Sequence, residues 1–266
     1  DNSSGALGDG PDSGFRAYPI QLRGIGGEGH LTNVVSISSF FWKNYAVRSD
    51  GTVVAWGNNS WGALATGGNP TEYYPKQVVG IGGVGYLTNI AAVAAGDYSS
   101  SALKTDGTVV SWKWSTNPYI VNRSLGTPLQ NITAISSGDS HGIGLKSDGT
   151  VWSWGSNSVV GDTLLYPTGY ETGSGYARQM GSITDATAVA ATSYHSFALR
   201  SNGTVWMWGD TTYETQLEGF TNIVAIKSGT DYLLGLKSDG SVCTYEPHII
   251  KRFLAYPDTP VFTNII

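Results

Sequence analysis

The 266 residues carry a formal net charge of −5, and only 13% of them are Asp, Glu, Lys or Arg. That balance offers no basic patch for nucleic acid, and no apolar run approaches the ~20 residues of a membrane-spanning helix, so neither nucleic-acid binding nor membrane insertion is expected. With 9 Trp, 15 Tyr and 36 Gly the composition excludes a disordered chain and points to a rigid all-β protein rich in tight turns.

In chain order, Asn2-Ser3-Ser4-Gly5-Ala6-Leu7 comes first and recurs as Asn59-Ser60-Trp61-Gly62-Ala63-Leu64. Tyr18-Pro19-Ile20-Gln21-Leu22 then matches Tyr74-Pro75-Lys76-Gln77-Val78 as a short strand, and Pro suits an outer strand whose edge faces solvent. The glycine-rich residues 24–33 recur as 80–89; no helix follows either copy, so both read as connectors and not as phosphate-binding loops. Residues 1–33 are therefore expected to be the tail of an incomplete blade and its connector. Asp1 is not a translation start, so the chain is expected to be processed or part of a longer polypeptide.

Next come small-residue strands at 34–39, 90–95, 132–137, 186–191 and 223–228, suited to crowding near a central axis. Each leads through a turn into a hairpin of one pattern, typified by Leu145-Lys146-Ser147-Asp148-Gly149-Thr150-Val151-Trp152-Ser153-Trp154-Gly155. The Asp or Asn of the hairpin turn falls at 50, 106, 148, 202 and 239. Asp-Gly suggests a two-residue type I′ turn, with φ > 0 at both positions. Residues 34–87, 88–130, 131–184, 185–221 and 222–262 are thus five repeats of four strands, and 263–266 begin a further first strand. Repeats of this size predict an all-β propeller, with five complete blades and an incomplete closing one. The gap should leave unpaired strand edges, to be filled by residues of the same polypeptide or by a neighbouring subunit.

Strand alternation puts Val151 and Ser153 on one face of a hairpin and Trp152 and Trp154 on the other. Both faces are largely apolar, so each needs a neighbouring blade to cover it, and Trp154 and Trp208 should be buried between blades. Cys243, the single cysteine, stands where Trp152 and Trp206 stand and reads as a packed core thiol.

The run Ala-Ala-Gly, then His-Ser-(Phe/Leu)-Ala-Leu-(Lys/Arg)-Ser-(Asp/Asn)-Gly-Thr-Val-Trp-x-Trp-Gly, then Asn-x-x-Gly-Ala-Leu, resembles the regulator-of-chromosome-condensation repeat family. Its Thr-Asn-Ile connectors and low charge are similar to the bacterial members. The pattern departs from the family at Trp112-Lys113-Trp114 and at Tyr245-Glu246, which replace Trp-Gly. The resemblance implies a non-enzymatic β-propeller, secreted or on a bacterial cell surface, that binds a protein partner or assembles with itself. The alternatives are the family's nucleotide-exchange and chromatin role, or a subunit of a surface filament or adhesin.

No Ser/His/acid set, paired carboxylates or calcium-loop spacing stands out of the repeat background, so no catalytic residue, metal or cofactor is expected. His141 and His195 share a repeat position with Lys43, Ser99 and Tyr232, a mixed column that reads as structural. The turns between first and second strands are different: they vary, yet stay rich in aromatic and acidic groups. Phe40-Phe41-Trp42-Lys43 replaces a small polar turn, and a propeller gathers all such turns on one face. Phe40, Phe41, Trp42, Tyr98, Asp139, Tyr194, Asp231 and Tyr232 are accordingly the expected partner-binding residues, with Phe41 and Trp42 as exposed anchors.

Overall fold

The hairpin turn is wound by its own Asp side chain. In the first hairpin Val47 pairs with Val53, the Arg48 N–H donates to the Thr52 carbonyl at 2.9 Å, and the Gly51 N–H donates to Arg48 at 2.8 Å. The Asp50 Oδ1 accepts from the Thr52 N–H and hydroxyl, at 3.0 and 2.6 Å. Of the Asp-Gly pair only Gly51 has positive φ, +76°. The turn is therefore a type I turn closed by a left-handed glycine bulge, not the type I′ turn that Asp-Gly suggests: the side-chain bonds to Thr52 hold Asp50 in right-handed backbone. Asp106, Asp148, Asn202 and Asp239 hold the same pair of bonds to the residue two further on.

The computed structural model describes residues 2–11, 14–68, 70–113, 117–155, 176–209 and 212–246. Its hairpins extend into antiparallel sheets whose strands pair in chain order. The first blade comprises Val34–Phe40, Lys43–Arg48, Val53–Asn58 and Thr71–Gln77. The second comprises Ile90–Ala94, Ser99–Lys104, Val109–Lys113 and Tyr119–Ile120, and the third Ile132–Ser137, His141–Lys146, Val151–Gly155 and Arg178–Gln179. The fourth holds Ala186–Ala191, His195–Arg200, Val205–Gly209 and Thr212–Gln216. In the fifth, Ile223–Ser228, Leu233–Lys237 and Val242–Tyr245 are described; its expected outer strand and the beginning of a further strand at 263–266 lie outside the described residues.

Blade packing follows from the two apolar faces. Tyr45, Val47, Val53 and Ala55 of the first blade form one buried cluster with Val93, Ala102, Val110 and Trp112 of the second. Equivalent clusters join the second blade to the third, the third to the fourth and the fourth to the fifth. Trp154 and Trp208, at 4% and 3% exposed, sit in two of these seams as expected. The inner strands are tied to one another as well: Ser38 and Ser136 hydroxyls accept the Ala95 and Ala191 amides at 2.9 and 3.0 Å. Together the five inner strands line an axial channel of about 460 Å³.

Among the described residues the two outermost faces carry no such inter-blade cluster. Ile37 on the first blade's inner strand is 77% exposed, and Leu234, Leu236 and Val242 on the fifth blade are exposed too. Residues 18–22, expected as an outer strand, pair with no strand among the described residues. Their repeat partners in Thr71–Gln77 find Val53–Asn58 beside them, and no described hairpin stands in that position beside 18–22. Leu22 and Leu31 nonetheless pack on Ala46, Val54 and Trp56 of the first blade, so the tail occupies the place of a preceding blade's rim.

Candidate protein-binding face

Antiparallel pairing places every turn between a first and a second strand at one end of the sheets. Backbone bonds then link these turns around the ring. Asp139 donates its N–H to the Ser193 carbonyl at 3.1 Å, and its own carbonyl accepts from Tyr98 and Ser99 at 2.7 and 3.2 Å. Ser193 donates to the Thr230 carbonyl at 2.7 Å, and the Lys43 ammonium donates to the Asp97 carbonyl. Turns from all five blades thus form one continuous surface.

The expected residues divide into two groups on that surface. Phe41 and Trp42, at 57% and 58% exposed, form a two-residue turn, and Tyr98, Tyr194, Asp231 and Tyr232 are also exposed. Phe40 is not part of the turn: it pairs with Lys43 in the sheet and packs partly against the first core cluster. Its ring meets Phe41 edge-on at 5.0 Å between centroids, and Phe41 lies 6.1 Å from Trp42. A turn this short requires left-handed backbone at one position, and Phe41 supplies it at φ +47°, an uncommon conformation for a bulky residue. Asp139 is buried, so it ties turns together beneath the surface instead of projecting from it.

Three participating residues lie outside the sequence-based set. Lys43 is buried and its ammonium stands 3.7 Å from the Asp97 carboxylate. Trp61 is 71% exposed in the loop after the first hairpin, with φ +61°. Phe41, Trp42, Trp61 and Tyr98 wall a groove of about 290 Å³ whose lining also includes Lys43 and Asp97. The signal for Trp61 was the large aromatic at a free position of Asn-x-x-Gly-Ala-Leu, where the first copy has Ser4.

Burial and crowding set the charges here. Asp139 is pushed up to about 7, first by burial, then by the Asp97 charge and a hydrogen bond with Asp97; Asp231 adds to the rise and Lys43 opposes it. Burial lowers Lys43 to about 8, against the pull of Asp97 and Asp139. Tyr98 and Tyr194 are both raised, chiefly by desolvation and then by the carboxylates around them. The face is therefore an aromatic surface with clustered acidic groups.

The histidine column is interior. His141 is fully buried, its Nε2 lies 3.0 Å from the Ser196 hydroxyl, and burial lowers it to about 3. His195 is buried beside Phe197, with ring centroids 6.4 Å apart. Among the described residues no three His, Cys, Asp or Glu side chains gather as metal ligands. Cys243 is half-buried, and its Sγ lies 3.4 Å from the Gly235 carbonyl.

The repeat pattern has counterparts in known proteins. A model of the regulator of chromosome condensation (RCC1) repeat matches residues 50–103, and a second model of that repeat matches 132–159 and 186–214. No curated protein matches the chain. Among solved structures, human WBSCR16 is similar at 16% identity and TM-score 0.64, over 81% of this chain and 62% of that one. Prp20p from Saccharomyces cerevisiae is similar at 17% identity and TM-score 0.62, over 80% of this chain and 58% of that one. The chain thus spans about three fifths of the length of each. With hairpins that share one turn chemistry on every blade, the chain is a β-propeller, and its residues 50–103, 132–159 and 186–214 are RCC1 repeats.

Proposed function

We propose that this propeller is a non-enzymatic protein-binding module, and that it grips its partner with the face carrying the turns between first and second strands. The observation that carries this reading is the exposed groove formed by Phe41, Trp42, Trp61 and Tyr98. Large aromatics on a rigid scaffold lose little conformational entropy on binding and dominate interface energetics. Two of them, Phe41 and Trp61, are held in left-handed backbone, at φ +47° and +61°. Lys43 and Asp97 at the groove give a polar fixing point of both signs. Prp20p, similar in fold, was described with its binding properties to Gsp1p and histones, so protein recognition has a precedent on this architecture.

The low charge and the connector chemistry support a bacterial, extracellular or cell-surface setting. A chromatin role is less well served, because a net charge of −5 gives no electrostatic hold on nucleic acid. A photo-crosslinking residue at 42 or 61, compared with one at 239 in a hairpin turn at the opposite end of the sheets, tests the face. Protein adducts should form at 42 and 61 and not at 239. Equal yield at all three, or adducts only at 239, would reject the assignment.

A further inference from the structure

The groove on the turn face has a charge as well as a shape. Phe41, Trp42, Trp61 and Tyr98 bring aromatic rings to it, and the faces of such rings are electrically negative. Asp97, also in its lining, keeps 30% of its side chain exposed. Among the described residues the one cation lining the groove is Lys43. Its ammonium is buried, donates to the Asp97 carbonyl and stands 3.7 Å from the Asp97 carboxylate, so that charge is matched inside the turn. Lys113 ends its strand at the same end of the second blade but does not line the groove. Behind Asp97, Asp139 is hydrogen-bonded to it and feels the further charge of Asp231. The Asp139 and Asp97 charges also raise Tyr98, after burial, so a negative potential reaches the groove wall.

We propose that the groove receives an arginine side chain of the partner protein, its guanidinium stacked on the aromatic rings and directed at the Asp97 carboxylate. This rests on the turn face being the protein-binding face, and it names what that face reads. The molecule already holds one such arrangement within itself. Arg200 places its guanidinium carbon 5.8 Å from the centroid of the Trp206 ring while its Nε donates to Asp185 at 2.7 Å. At about 290 Å³ the groove lies at the lower limit of the ~300–1,000 Å³ of small-molecule pockets, a size for one long side chain. An apolar occupant would cover Asp97 without a counter-charge, and an acidic one would be repelled. Lysine is the weaker fit: a flat guanidinium stacks on a ring and donates in its own plane to a carboxylate, whereas a compact, strongly hydrated ammonium cannot do both.

The probes are blocked tripeptides, acetyl-Gly-Arg-Gly-amide and its lysine and citrulline counterparts, titrated into the whole chain and followed by the indole N–H resonances of Trp42 and Trp61. The arginine peptide should shift both resonances saturably, and more weakly as salt is raised. Citrulline, which has the same shape without the charge, should bind at least tenfold more weakly, and lysine at least threefold. Trp61→Ala and Asp97→Asn should each weaken the arginine peptide at least fivefold. Asp239→Asn, in an exposed turn at the opposite end of the sheets, should leave it unchanged. Should Asp97→Asn fail to fold because Lys43 loses its partner, Trp61→Ala and the salt series carry the test. No saturable shift, equal affinity for the three peptides, or undiminished binding by Trp61→Ala overturns the proposal. Protein adducts at 42 and 61 without an arginine preference would overturn this occupant and leave the binding face standing; adducts only at 239 would remove the face itself.

Discussion

The Trp56 indole N–H donates to the Ala6 carbonyl at 3.2 Å, and Trp112 makes the same bond at the same distance to Ala63. Below each carbonyl an Asn closes the loop: Asn2 Oδ1 accepts from the Leu7 amide at 2.8 Å and Asn59 Oδ1 from the Leu64 amide at 2.9 Å. The loop after a hairpin is thus a socket that receives the tryptophan of the next blade. Its side-chain Asn, buried in both copies, satisfies backbone that would otherwise face the core unpaired.

Asn59→Ala should therefore destabilise the chain by about 1–3 kcal/mol, since it leaves the buried Leu64 amide without its acceptor. Urea unfolding followed by tryptophan fluorescence measures this. A variant that unfolds with the parent would show that the loop is held by packing alone.

Trp154→Ala should cost about 3–5 kcal/mol, through lost burial and the cavity left in the seam between the second and third blades. It also removes the indole bond to the Ser101 hydroxyl, 3.1 Å long. Gly149→Val should be destabilising for a separate reason: φ is +78°, and a Cβ there would lie 2.4 Å from the Thr184 carbonyl oxygen. Thermal unfolding of the two variants and of their combination tests both, and parent-like melting of either would contradict the packing described.

Asp139 has a distinct pH signature. Its folded carboxyl titrates at about 7, against 3.8 for a free one, so its favourable contribution is fully present below pH 4 and is lost as pH rises through 7. His141, lowered to about 3 from 6.5, acts in the opposite sense: its contribution is present above pH 6.5 and is lost as pH falls. The parent profile mixes the two, so the informative quantity is the melting difference between Asp139→Asn and parent. That difference should move in the variant's favour as pH rises from about 4 to about 7 and be flat on either side. A difference independent of pH would mean that Asp139 is ionised in the folded chain.

Trp42→Ala and Trp61→Ala should each leave the melting temperature nearly unchanged, because both side chains are more than half exposed. Each should weaken partner binding at least tenfold, equivalent to about 1.4 kcal/mol or more. Titration of the partner recovered by crosslinking, by calorimetry, gives the ratio. Unaltered affinity in both variants would remove the groove from the interface.

Much of the fold was legible in the chain because strand alternation and the Asp/Asn-Gly-Thr/Ser turn are local and repeat five times, and the socket motif occurs twice. The inner strands expected at 132–137, 186–191 and 223–228 stand at those residues. The exposure of Phe41 and Trp42 was legible too, since three adjacent aromatics cannot all face inward. Local pattern did not fix the turn type, because the competing bonds from Asp50 to Thr52 depend on where the side chain settles. Nor could it show that Asp139 lies below the surface, that Trp61 joins Trp42 across a groove, or that Lys43 is buried beside Asp97. Those relations join residues from different blades or loops, and their distances are set by how the sheets pack. The sequence by itself determined the blade; the packing of blade on blade decided which aromatic and charged groups meet, because those distances are set between sheets and not within one.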